Sequence, residues 1–278
     1  GVWCTSPLKN LAFALPWLAL QPRLALRGVR QIVALWHAGV PVQFGARPLA
    51  VTADGDGQVA GLQYSHGRKT SEKPLEALAL GWHLRSETQL SHLLSIPSIP
   101  GQHRPMIDST GRSPVDGIYL AGDGVEILGA DAARTSGRMA ATALLADLKV
   151  PLAWVDKLKF ISDRVAHARM RAFAKGLARA FPPPDAEHFL ALPETTVVCR
   201  CENVSLSTVR AAAEDWKCED INRIKALTRA GMGRCQGRYC GATLTAIVTA
   251  ETGQTTSEIP EHRAQAPIYP LPIVAKDR

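Results

Sequence analysis

The sequence predicts an α/β fold followed by a small helical domain that gathers four cysteines. Three observations predict it. Short apolar runs alternate with helical periodicity and glycine turns through the first 150 residues. Pro182-Pro183-Pro184 then breaks the chain after a basic helical stretch. Beyond the break, five cysteines fall between positions 199 and 240.

The 278 residues are 46% hydrophobic, which allows a sizeable core. The longest apolar run, Leu11 to Leu20, is interrupted by Pro16 and is too short to span a bilayer. No stretch has signal-peptide architecture, and a cytoplasmic location is expected. The net charge of +7 is spread over both halves without a basic block, which argues against nucleic-acid binding.

The elements follow in order. Leu24 to Ala38 reads as a helix ended by Gly39, and Val40 to Phe44 as a strand. Leu49 to Thr52 and Val59 to Tyr64 read as hairpin arms around the turn Asp54-Gly55-Asp56-Gly57. Leu75 to Leu80 reads as a short buried strand ending at Gly81. Gly117 to Ala121 reads as another, running into Gly122-Asp123-Gly124. Helices are expected over about 132–148, stopped by Val150-Pro151, and over about 154–180. Ser205 or Ser207 can cap a helix through Glu214, and Asp220 one through about Arg229, ending at Gly231. Gly241 begins a last helix, running to Glu251.

The cysteine spacing is Cys199-x-Cys201, then 33 residues, then Cys235-x4-Cys240. In a reducing compartment such a cluster points to metal binding or redox chemistry before disulfides. Zinc sites commonly space paired ligands two to four residues apart, which fits gaps of one and four poorly. An iron–sulfur cluster therefore leads, with zinc and inert buried thiols as alternatives. Arg200, Arg229, Arg234 and Arg238 add positive charge, and Gly231, Gly233 and Gly237 let the backbone fold closely. Cys218 reads as a packed thiol. The runs at 199–204 and 228–240 resemble the [2Fe–2S] domain of the bacterioferritin-associated ferredoxin type, in the variant fused to flavoprotein dehydrogenases. The resemblance covers about 195–253. It implies Cys199, Cys201, Cys235 and Cys240 as ligands of one [2Fe–2S] cluster.

Ile118-Tyr119-Leu120-Ala121-Gly122-Asp123 delivers a carboxylate beside glycines, before a helix whose N-terminus near Ala132 and Ala133 offers N–H groups. Flavin binding and an ordinary capping Asp fit these residues equally well. The stretch resembles the second FAD motif of two-dinucleotide-domain flavoproteins, and Leu78 to Gly81 the return from their inserted domain. The resemblance implies FAD, with Gly122, Asp123, Gly124, Ala132 and Ala133 as its contacts.

In this order the parts resemble the α subunits of opine oxidase, hydrogen cyanide synthase and D-hydroxyproline dehydrogenase. That resemblance implies the C-terminal part of a two-dinucleotide-domain flavoprotein fold, followed by the [2Fe–2S] domain. The expected divisions are 1–95 as the remainder of an NAD-type domain and 96–150 as the end of an FAD domain. A helical linker (151–194), the cluster domain (195–253) and a Pro-containing tail (254–278) follow. It also implies an electron-transfer subunit, with the amino-acid or opine substrate on a separate flavoprotein β subunit. No Gly-x-Gly-x-x-Gly occurs, so FAD binding is expected to need an N-terminal part lying upstream or on a partner fragment. His83, beside Trp82, could face a nucleotide but reads better as a surface or core histidine. A metal-binding interaction module with a vestigial flavin half, or an NAD(P)H-dependent reductase, are the other readings. Catalytic residues and substrate are not readable here.

Overall fold

A computed structural model describes residues 1–81, 83–183, 189, 191–215 and 220–271. The chain forms two compact units, residues 1–84 with 161–183, and residues 85–160 with 184–278.

In the first unit, β1 (Val2–Cys4) and β2 (Val42–Phe44) pair in parallel, Val2 opposite Val42 and Cys4 opposite Phe44. A parallel pair needs a crossover, here α1 (Leu8–Leu18) and α2 (Pro22–His37). The sequence reading missed β1 and α1. α2 starts two residues before its expected beginning, because Pro22 sits in a first turn whose N–H has no partner anyway. Gly39, with φ of 69°, ends it. Ala14 and Leu18 of α1 are buried against Ala180 of α5 (Trp154–Ala180). Gly176 permits the close approach, since a Cβ there would meet Trp17 Cβ at 2.6 Å.

A three-stranded antiparallel meander of β3 (Ala46–Ala53), β4 (Val59–His66) and β5 (Lys69–Pro74) completes this unit. The first turn is held by Asp54 Oδ1, which accepts from the N–H of Asp56 at 3.0 Å and of Gln58 at 2.8 Å. The expected strand at Leu75–Leu80 is not formed. The polar segment 69–74 takes the place beside β4 instead, because the Gly67 turn starts pairing at His66 opposite Lys69. Pro74 closes that ladder, and Leu80 is 65% exposed.

The second unit begins with α3 (Gln89–Leu93). The expected strand at 117–121 reduces to one bridge, Arg112 opposite Tyr119. Ser113 and Leu120 N–H groups bond Ile118 and Gly111 carbonyls within the same loop. Paired on that one side, Ile118, Tyr119 and Leu120 are half-buried rather than core. Arg112 Nε and Nη2 donate to the Asp147 carboxylate at 2.6 and 2.8 Å, and Tyr119 Oη at 2.5 Å. These bonds tie the loop to the end of α4 (Ala130–Asp147).

The main core lies among β6 (Val197–Cys199), β7 (Val204–Ser205), α6 (Leu206–Glu214), α7 (Ile221–Thr228) and α8 (Gly241–Thr252). Leu206, Val209, Ile221, Ile224, Leu244, Ile247 and Val248 are fully buried. Each such side chain contributes about 1.5–3 kcal/mol. Ser205 Oγ caps α6 by accepting from Thr208 N–H, and Asp220 Oδ1 caps α7 through Asn222 N–H. α7 ends at Thr228, one residue before the expected Arg229, because Arg229 takes the left-handed conformation (φ 65°). Part of the expected tail is packed as a strap. Ile259 enters the core, Asn222 bonds the Glu261 carbonyl and the Arg263 N–H, and Lys225 Nζ donates to the Arg263 carbonyl. Among the described residues, no helix is long and apolar enough to cross a membrane.

Candidate functional site

The local fold explains why two distant cysteine pairs meet. Cys199 ends β6 and is 1% exposed, while Cys201 follows in the exposed turn. Cys235 lies in the turn before α8, and Cys240, 3% exposed, begins that helix. The packing of α6, α7 and α8 brings these loops together. Cys201 hydrogen-bonds with Cys235, and Cys240 with Cys199. Cys218 lies outside the described residues.

Main-chain donors surround the sulfurs. Gly231 N–H donates to Cys199 Sγ at 3.4 Å. The N–H groups of Tyr239, Gly237 and Arg238 donate to the Cys235 sulfur, and that of Cys235 to Cys201. The thiols respond accordingly. Against the cost of burial, the Tyr239 N–H, the Cys201 thiol and two further N–H groups pull Cys235 below its ordinary range. Burial, and then the Cys199 charge, push Cys240 up. A cation between these thiols would reverse that repulsion by drawing off their protons.

The donor set fits a [2Fe–2S] cluster. The thiols influence one another across the two loops, Cys201 with Cys235 and Cys199, and Cys240 with Cys199 and Cys235, so four thiolates from two loops are at hand for one cluster. The glycines make the loops' close approach possible. A Cβ on Gly233 would stand 2.2 Å from Cys201 Cβ. The arginines act differently from expectation. Arg229 pairs with Glu202 at 2.8 Å, and Arg238 pairs with Glu87 and donates to the Ile268 carbonyl at 3.1 Å. Both charges are balanced locally. Arg200 lies over the Tyr239 ring, and Arg234 is exposed.

Beside the cysteine loop is a cavity of about 310 Å³, whose lining includes Arg85, Gln89, His92, His103, Glu261 and His262. The sequence reading found no constellation here, because its members lie up to 177 positions apart and carry no motif. Glu261 accepts from Ser98 Oγ at 2.7 Å and pairs with His92 at 2.7 Å and His103 at 3.4 Å. Against burial, these bonds hold its carboxyl well below the usual range. Burial and the Lys225 charge lower His262 to about 4, so its ring is neutral at pH 7. Gln89 Nε2 donates to the Gln236 carbonyl at 2.7 Å, which ties the 85–92 segment to the cysteine loop. His83 is exposed.

Gly122, Asp123 and Gly124 form a single 3-10 turn, with the Asp123 carboxylate exposed. Gly122 N–H donates to Ser136 Oγ at 2.9 Å. Gly129 precedes α4, and its carbonyl takes the Ala133 N–H at 3.0 Å. Ala133 therefore offers no N–H to a ligand, contrary to expectation. Helical geometry leaves those of Ala130, Asp131 and Ala132 without an intrahelical partner.

Comparisons with known proteins agree with this arrangement. Residues 197–250 match the family model of the BFD-like [2Fe-2S] binding domain. An opine oxidase subunit of Agrobacterium tumefaciens (strain Ach5) is 31% identical over 275 residues, covering 96% of this chain and 53% of its own. The hydrogen cyanide synthase subunit HcnB of Pseudomonas aeruginosa is 31% identical over 270 residues, covering 92% and 56%. This chain is a homologue of these oxidase and synthase subunits. It spans about half the length of the curated relatives it matches. The fold is similar to that of a solved dehydrogenase. L-proline dehydrogenase from P. horikoshii superposes with a TM-score of 0.63 at 22% identity, covering 87% of this chain and 46% of its own.

Proposed function

We propose that this homologue is the electron-transfer part of a flavin-dependent amino-acid or opine dehydrogenase, passing electrons between flavin and a [2Fe–2S] cluster. One observation carries the reading. Four thiols from two loops converge under main-chain donors, in a segment matching a [2Fe-2S] domain.

When bound, the cluster supplies a one-electron store. The buried Cys199 and Cys240, the half-buried Cys235 and the exposed Cys201 would hold it. Gly231, Gly237, Arg238 and Tyr239 N–H groups hold negative charge on the sulfurs. On the flavin side, Asp123 would be the residue to accept from a ribose or ribityl hydroxyl, and Gly122 and Gly124 keep the turn small. Ala132, in the first turn of α4, offers its N–H to a developing negative charge. The substrate site sits on a separate flavoprotein subunit, in keeping with relatives that are themselves named subunits. A reducing cytoplasm suits a set of free thiols.

Anaerobic loading of the full chain with iron and sulfide, then EPR after dithionite, tests the cluster. The expected outcome is a reduced [2Fe–2S] signal that Cys235→Ser abolishes. Well-folded protein that binds zinc without sulfide, and gives no signal, overturns the reading.

A further inference from the structure

His262 occupies space that two glycines leave open. A Cβ on Gly231 would stand 2.2 Å from His262 Nε2, and one on Gly237 would stand 2.9 Å from its Cε1. Both glycines hold left-handed φ values, 88° and 79°. Each donates its N–H to a different cysteine, Gly231 to Cys199 and Gly237 to Cys235. One imidazole therefore lies against both turns that aim main-chain donors at the thiolates.

The ring is itself held in place. Ile259 is buried in the core, and Asn222 and Lys225 bond the main chain at 261 and 263, on either side of it. Packing alone does not account for a histidine here. Its Nε2 is buried without a partner, a desolvation cost that an aliphatic side chain would avoid. The strap also lies beyond residues 197–250, outside the matched domain. The cluster's reduction adds negative charge, and N–H···S bonds stabilise that charge, so their geometry sets the potential.

We propose that His262 is a positioning residue of the metal centre, which fixes the Gly231 and Gly237 turns so that their N–H groups stay aimed at Cys199 and Cys235. The proposal rests on the [2Fe–2S] reading.

EPR-monitored redox titration of the loaded full chain tests it, with wild type, His262→Ala, His262→Asn and Asn222→Ala in parallel. Wild type without a [2Fe–2S] signal overturns both the reading and the proposal. With that signal present, His262→Ala retains it at a lower midpoint potential and with altered g-values. His262→Asn recovers part of the shift. Asn222→Ala, which loosens the strap and leaves the ring, shifts the potential the same way by less. Unchanged or raised potentials in the His262 variants overturn the proposal and leave the cluster reading intact. If His262→Ala takes up no iron, His262→Asn and Asn222→Ala decide by the same criterion.

Discussion

At the scale of single residues, the metal centre divides into what spacing reveals and what only packing assembles. That Cys199, Cys201, Cys235 and Cys240 come together was legible, because their short gaps place them on two loops beside helix ends. Glu261, His262, His92 and His103 were not legible, since long-range packing brings them together and no local pattern records it. Four arginines were read as adding charge near the thiols, and a sequence does not show that Glu202 and Glu87 face two of them, Arg229 and Arg238. Gly233 was legible as a glycine needed for close approach, and its reason is now specific. A methyl there would collide with Cys201 Cβ, and both atoms belong to loops pinned by cysteines. Gly233→Ala is expected to lower bound iron and sulfide per chain several-fold while leaving helix content near wild type. Chemical iron analysis with far-UV circular dichroism checks this.

At the scale of elements, capping residues carried most of the readable information. Ser205 and Asp220 open α6 and α7 as their side chains require. Strand assignments failed where apolar composition was not matched by a pairing partner. Residues 75–80 lost their place to the polar 69–74 segment, and 117–121 found one neighbour. The latter loop is tied to α4 chiefly through Arg112, Tyr119 and Asp147. Arg112 first, and then Tyr119, lower the Asp147 carboxyl to about 2. Its folded pKa thus lies below the unfolded value of about 3.9. The tie contributes stability in full above that unfolded value and loses it as pH falls through about 2. Asp147 is exposed, so the effect is small and salt-sensitive. Thermal melts between pH 5 and pH 2 are expected to fall less steeply for Asp147→Asn than for wild type. Equal slopes would mean that the tie adds nothing to folding.

At the scale of the whole molecule, the two units differ in how much they bury. Among the described residues, the core of β6 to α8 gathers fourteen buried residues, whereas the α1–α5 contact gathers three. No residue of α2 is buried, and Leu24, Leu26, Val29, Val33 and Trp36 along it are exposed. Local stability follows buried apolar contact, so opening free energies should range from near zero to the global value. Hydrogen exchange read by mass spectrometry is expected to be fast over α2 and slowest over α6 and α8. Loading iron and sulfide should then slow exchange in three places: the 199–201 turn, the 231–240 loop and the 259–263 strap. The strap is the informative part, because it supplies no cysteine. It gains protection only if fixing the thiolates also fixes Gly231 and Gly237 against His262. Protection confined to the two cysteine loops would mean that the strap packs on α7 independently of the metal. Protection reaching the strap but not α2 would locate the ordering within the unit that holds the cysteines.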